Sequence, residues 1–135
     1  MKHPILFALL MFLATGLMLF VASPPFGFGV LAFISLIPLL HAVRLSGSCR
    51  FAAFGGFLAG AALFLPGIYW LTHVTVPGYI ALALYCAAYL AVFALIAHAV
   101  RNARPSWNAA VLGAGWMLLE VLRGHLITGF PWLLL

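Results

Sequence analysis

Acid is what this chain lacks most. Its 135 residues include one carboxylate side chain, Glu120, against six Lys and Arg. Paired-carboxylate catalysis needs two acids, and carboxylate-rich metal sites need several, so both are excluded. Charge of either sign is scarce: 5% of residues are charged, where a soluble domain has about 25%. A soluble globular domain is therefore excluded. The two cysteines, Cys49 and Cys86, lie far apart without CxxC spacing, which argues against a disulfide framework. The histidines His3, His41, His73, His98 and His125 form no HxxxH or HExxH pattern. Zinc needs three or four converging ligands, so no metal site and no cofactor are expected. On composition alone, a complete catalytic site is not expected in this segment.

What is there is apolar: 67% of the residues are hydrophobic. Disorder is excluded, because disordered chains are poor in such residues. A membrane span takes roughly 20 residues, which leaves room for about five. The net charge of +5 is spread along the chain. It forms no basic patch of the kind a phosphate backbone requires, so no nucleic-acid partner is expected.

Pro, Gly and charge divide the apolar runs into five expected spans, at about 4–22, 28–43, 51–71, 79–100 and 107–127. Pro38 is expected to kink the second. Lys2 precedes span one, Arg44 and Arg50 separate spans two and three, and Arg101 and Arg104 separate spans four and five. The other connections carry no Lys or Arg. Alternate basic loops follow the positive-inside rule, which places the N-terminus in the cytoplasm. The fold class expected is all-α, a polytopic transmembrane helix bundle. A cleaved signal peptide at Met1–Ser23 is disfavoured: the apolar stretch is too long, and Pro24 and Pro25 follow the small residues.

Glu120 and Arg123 form the strongest local signal. At i and i+3 on span five they share one helix face. Counting from Trp107 at about 1.5 Å per residue puts them roughly 20 and 24 Å up the span. Ionisable residues at that depth face protein or a wet cavity. Two readings stand: a polar anchor beside a lipid-headgroup or substrate site, and a structural ion pair locking span five to its neighbours. Thr128-Gly129-Phe130-Pro131-Trp132 follows, with the composition of an interfacial anchor. Ala52, Gly56 and Gly60 make a small-xxx-small face for helix packing. Tyr69 and Trp70 read as interfacial aromatics, and neither cysteine is assigned a catalytic role.

Span five also carries a resemblance. Gly115-Trp116-Met117-Leu118-Leu119-Glu120-Val121-Leu122-Arg123-Gly124, followed by Leu126 to Trp132, resembles apolipoprotein N-acyltransferase. That family typically shows an acid, two apolar residues, Arg-Gly, and then a Thr-Gly-Phe-Pro-Trp stretch. Ser23-Pro24-Pro25-Phe26-Gly27 and the run to Leu36 resemble its first outer loop and second span. Gly56-Phe57-Leu58-Ala59-Gly60, then Gly67-Ile68-Tyr69-Trp70, resembles its third. The segments fall in order along essentially the whole chain.

The resemblance implies an enzyme of the bacterial inner membrane. It implies a phospholipid acyl donor and a lipoprotein acceptor, joined through a thioester on an enzyme cysteine. The chemistry belongs to an outer-facing nitrilase-like domain with a Glu-Lys-Cys triad. That triad maps onto no residue here: the one Glu is in span five and the one Lys is at position 2. No catalytic residue is carried over. Glu120, Arg123 and Trp132 match family positions beside an outer-face cavity, and are expected to support it. Ending on Leu133-Leu134-Leu135 without a polar stop, the chain is expected to be truncated. The alternatives are a non-enzymatic membrane anchor or partner subunit, and a small transporter, which the scarcity of midplane polar residues disfavours.

Overall fold

Proline and glycine set the ends of the helices. The computed structural model describes residues 4–126 and Leu133. Helix α1 spans Pro4–Ala22. Pro4 suits a first helical position, where its missing N–H is no loss. The Ser23 hydroxyl donates to the Leu19 carbonyl at 2.9 Å, and the double proline stops the helix. Gly27 then takes a φ of 69°, a left-handed conformation that glycine adopts without penalty.

The second apolar stretch is one helical run, Val30–Leu45, interrupted at Ser35. Helix α2 is Val30–Ile34 and α3 is Leu36–Leu45. Ser35 keeps helical dihedrals, φ −62° and ψ −29°, and lies one turn before Pro38, the residue expected to kink the stretch. The interruption has a local cause. The ring of a proline excludes the carbonyl four residues earlier, here that of Ile34, and Pro38 falls in the first turn of α3. The Ser35 hydroxyl donates to the Ala32 carbonyl at 3.0 Å at the interruption.

Helix α4 spans Cys49–Gly67, capped by the Ser48 hydroxyl, which accepts from the Phe51 N–H at 3.2 Å. Pro66 and Gly67 end it, and Tyr69–His73 form a single 3-10 turn instead of the expected helix to residue 71. Helix α5 spans Val76–Val100, opening earlier than expected because Pro77 sits in its first turn. The Tyr79 hydroxyl donates to the Leu65 carbonyl at 2.7 Å, tying the start of α5 to the end of α4. Helix α6 spans Pro105–His125.

The helices form an all-α bundle with α4 at its centre, between α1 and α5. Helix α3 lies on α1, and α6 packs on α5. Among the described residues three helices are long and apolar enough to cross a membrane: α1, α4 and α5. Helix α6 has the length, but Asn108, Glu120, Arg123 and its glycines lower its hydropathy. Large apolar side chains point outward along the bundle, among them Leu10, Phe33, Ile37, Phe54 and Met117. Water-soluble proteins rarely expose so much apolar surface; hydrocarbon accepts it.

Lipid tails are as apolar as leucine, so the helices associate by close packing instead of by expelling water. Small residues make that packing possible. A Cβ on Gly56 would stand 2.6 Å from the Ala94 Cβ, and one on Gly60 would stand 2.6 Å from the Ala87 Cα. Gly55, on the other side of α4, lies against the Phe12 ring of α1. The small-xxx-small face thus seats α5, while its neighbour seats α1.

Candidate functional site

Helix α6 turns its charge inward and its grease outward. Among its residues Arg123 is the one that is fully buried, at 2% exposure. Trp107, Met117, Leu118 and Val121 are exposed. A helix in water would do the reverse. In hydrocarbon the cation is the group that needs protein around it.

The i, i+3 spacing places both charges on one turn, and Arg123 Nη2 donates to Glu120 Oε1 at 3.0 Å. The same nitrogen donates to the Leu133 carbonyl at 3.2 Å. The guanidinium carbon stands 5.0 Å from the centre of the Phe64 ring of α4, a cation–π contact worth about 2 kcal/mol when desolvated. Arg123 therefore gathers three parts of the chain: its own helix, α4, and the backbone ten residues further on. Its Nε is buried without a hydrogen-bond partner among the described residues.

Tyr89, Leu90 and Phe93 of α5 meet Trp116, Leu119, Glu120 and Arg123 around a crevice of about 10 Å³. One water needs roughly 10–15 Å³, and a small-molecule pocket about 300–1,000 Å³. The described residues around the pair are thus packed against each other. Phe93 and Trp116 close one side edge to face, their centres 5.0 Å apart. The hydroxyls of Tyr85 and Tyr89 are 2.6 Å apart within α5.

The structure brings two of the three expected site residues, Glu120 and Arg123, into direct contact. Trp132 and the rest of the Thr128–Trp132 segment lie outside the described residues. Sequence reasoning missed Tyr89, Phe64 and the Leu133 carbonyl. The Tyr85/Tyr89 spacing of four was a usable sign of a shared polar face. No local signal marks Phe64 or a backbone oxygen. Cys86 is buried and Cys49 is exposed. Among the described residues no three His, Cys, Asp or Glu side chains converge.

Residues 15–135 match the family model of the apolipoprotein N-acyltransferase N-terminal domain. The chain belongs to the apolipoprotein N-acyltransferase family. Named apolipoprotein N-acyltransferases agree with this over most of the chain. The one from Caulobacter vibrioides is 32% identical over 89% of this chain and 25% of its own length. That from Ralstonia nicotianae is 36% identical over 87% of this chain and 25% of its own. That from Methylococcus capsulatus is 33% identical over 93% and 27%. The chain spans about a quarter of the length of these relatives. With its apolar helices, it resembles the membrane domain of the N-acyltransferase, and a non-enzymatic anchor is not favoured.

Proposed function

We propose that the chain is the membrane part of an acyltransferase that matures bacterial lipoproteins. The observation that carries this reading is the family match over residues 15–135. In the proposed reaction a thiolate attacks an ester carbonyl of a phospholipid. The ester bond breaks, an enzyme thioester forms, and the lysophospholipid leaves. The α-amine of the lipoprotein's diacylglyceryl-cysteine then attacks the thioester, forming the amide and restoring the thiol. That chemistry belongs to an outer-facing domain with a Glu-Lys-Cys triad. This chain alone does not perform it, since its one Glu is bonded to Arg123 and its one Lys stands at position 2.

The enclosing membrane is the bacterial inner membrane, with the N-terminus cytoplasmic and five crossings, α2 and α3 together making the second. Glu120, Arg123 and Trp132 support the donor-lipid cavity at the outer face. Arg123 does so as a positioning residue. Its bond to the Leu133 carbonyl and its seat on Phe64 hold the end of α6 in place.

The test is a chimera in which this chain replaces the matching quarter of the Ralstonia nicotianae enzyme. It is expected to transfer acyl chains from phospholipid to a diacylglyceryl peptide. Glu120→Leu with Arg123→Leu is expected to lower turnover and donor-lipid affinity at least about tenfold, with the chimera still present in the membrane at its usual level. Unchanged turnover and affinity in that variant would remove the pair from the lipid site. A wholly inactive parent chimera of normal abundance would remove the enzyme reading.

A further inference from the structure

Four arginines stand outside the Glu120 pair, in and beside the two basic connections: Arg44, Arg50, Arg101 and Arg104. The chain holds no second carboxylate to neutralise them, because Glu120 is already bonded to Arg123 at the other end of α6. Two of the four, exposed Arg44 and half-buried Arg101, line one opening. Helices α3 and α6 each rest on α5 with their backbones held apart, which leaves a gap between them. That gap is a partly open pocket of about 30 Å³, lined by Arg44, Arg101 and Asn108, with Leu40, Val43 and Leu112 as apolar walls.

Arg101 Nη1 donates to the His98 carbonyl at 2.6 Å, and Asn108 Nδ2 donates to the Val100 carbonyl at 3.0 Å. Both bonds satisfy carbonyls at the C-terminal end of α5 and hold the two side chains at the pocket wall. Arg101 keeps its remaining N–H groups. The Arg44 guanidinium makes no hydrogen bond or ion pair among the described residues. One cation held in place, Arg101, and one with its donors open, the exposed Arg44, thus line the same small opening, with apolar side chains behind them.

We infer that this pocket binds a phosphate group, one oxygen entering between Arg44 and Arg101, and that the phosphate is the headgroup of an anionic phospholipid. The guanidinium fork suits phosphate oxygens. An acyl chain of the same lipid would lie against the apolar walls, Leu40 of α3 and Leu112 of α6. Basic pockets between membrane helices take anionic headgroups for this reason. The inference is independent of the acyl-transfer reading: the site lies at the arginine-bearing end, away from Glu120 and Arg123.

Native mass spectrometry of the detergent-purified chain, titrated with dioleoylphosphatidylglycerol, tests it. The wild-type chain is expected to retain this lipid and to prefer it to dioleoylphosphatidylcholine. The double variant R44Q/R101Q is expected to weaken binding about tenfold. The variant R50Q/R104Q removes the same charge outside the pocket and is expected to change it less than about twofold. Arg44→Gln alone breaks no bond within the chain, so the fold is unaffected, and about threefold weaker binding is expected. Equal losses in the two double variants, or equal binding of the two lipids, would overturn the pocket. Displacement of the lipid by inorganic phosphate at equal concentration would overturn the lipid as its source.

Discussion

Arg123 carries one charge and three obligations. It must find a counter-charge, fill its remaining donors, and place its flat face against something apolar. Glu120 meets the first and the Phe64 ring the third, while the Leu133 carbonyl takes a second bond from Nη2 and Nε keeps no hydrogen-bond partner among the described residues. Removing only Glu120 leaves a cation buried in a low-dielectric interior. Breaking such a pair from one side costs about 3–5 kcal/mol, whereas replacing both partners by apolar groups is often close to neutral. Glu120→Leu is therefore expected to lower thermal stability in detergent more than the double variant Glu120→Leu/Arg123→Leu does. Following unfolding by circular dichroism on the three chains decides it; a double variant as unstable as the single one would mean that the pair's worth is not electrostatic. The i, i+3 pairing itself was legible from sequence, because helix geometry fixes which residues share a turn. The Leu133 carbonyl was not, since a backbone oxygen has no signature in residue type.

At the scale of the element, α4 is built around what its side chains omit. Gly60 lets α5 approach so closely that an added Cβ would stand 2.8 Å from the Ala87 carbonyl oxygen as well as 2.6 Å from its Cα. Both are backbone atoms, so the helices must separate. Gly60→Ala is expected to cost about 1–3 kcal/mol, the range for overpacking a tight interface. Gly113 on α6 provides the contrast, because a Cβ there meets nothing within 4 Å. Gly113→Ala should be neutral or up to about 1 kcal/mol stabilising through helix propensity. Thermal melts of the two variants in the same detergent check both; a destabilised Gly113→Ala would show that α6 packs more closely than its backbone indicates. The sequence pattern marked the small face of α4. It did not reveal that adjacent glycines, Gly55 and Gly56, serve different neighbours, α1 and α5.

Across the whole molecule, the orientation proposed from the alternate basic loops has a direct chemical test. Cys49 is exposed at the start of α4, beside Arg50, and Cys86 is buried in α5. In intact spheroplasts a membrane-impermeant maleimide is expected to leave the chain unmodified. After permeabilisation it should add to Cys49 alone, giving a single mass increment that disappears in Cys49→Ser. Labelling of Cys49 before permeabilisation would reverse the proposed orientation.

Composition and spacing by themselves determined the solvent, the helical class, the family resemblance and the Glu120/Arg123 turn. Each follows from local rules: apolar length, the rarity of charge in hydrocarbon, and a period of 3.6 residues. Tertiary structure decided what lies beside that turn. Tyr89 comes from α5, Phe64 from α4, and the Leu133 carbonyl from beyond the helix. It also decided that Arg44 and Arg101, distant in sequence, share one pocket. Such pairings depend on how closely whole helices approach, and that distance is a sum over many small contacts that no single stretch of sequence contains.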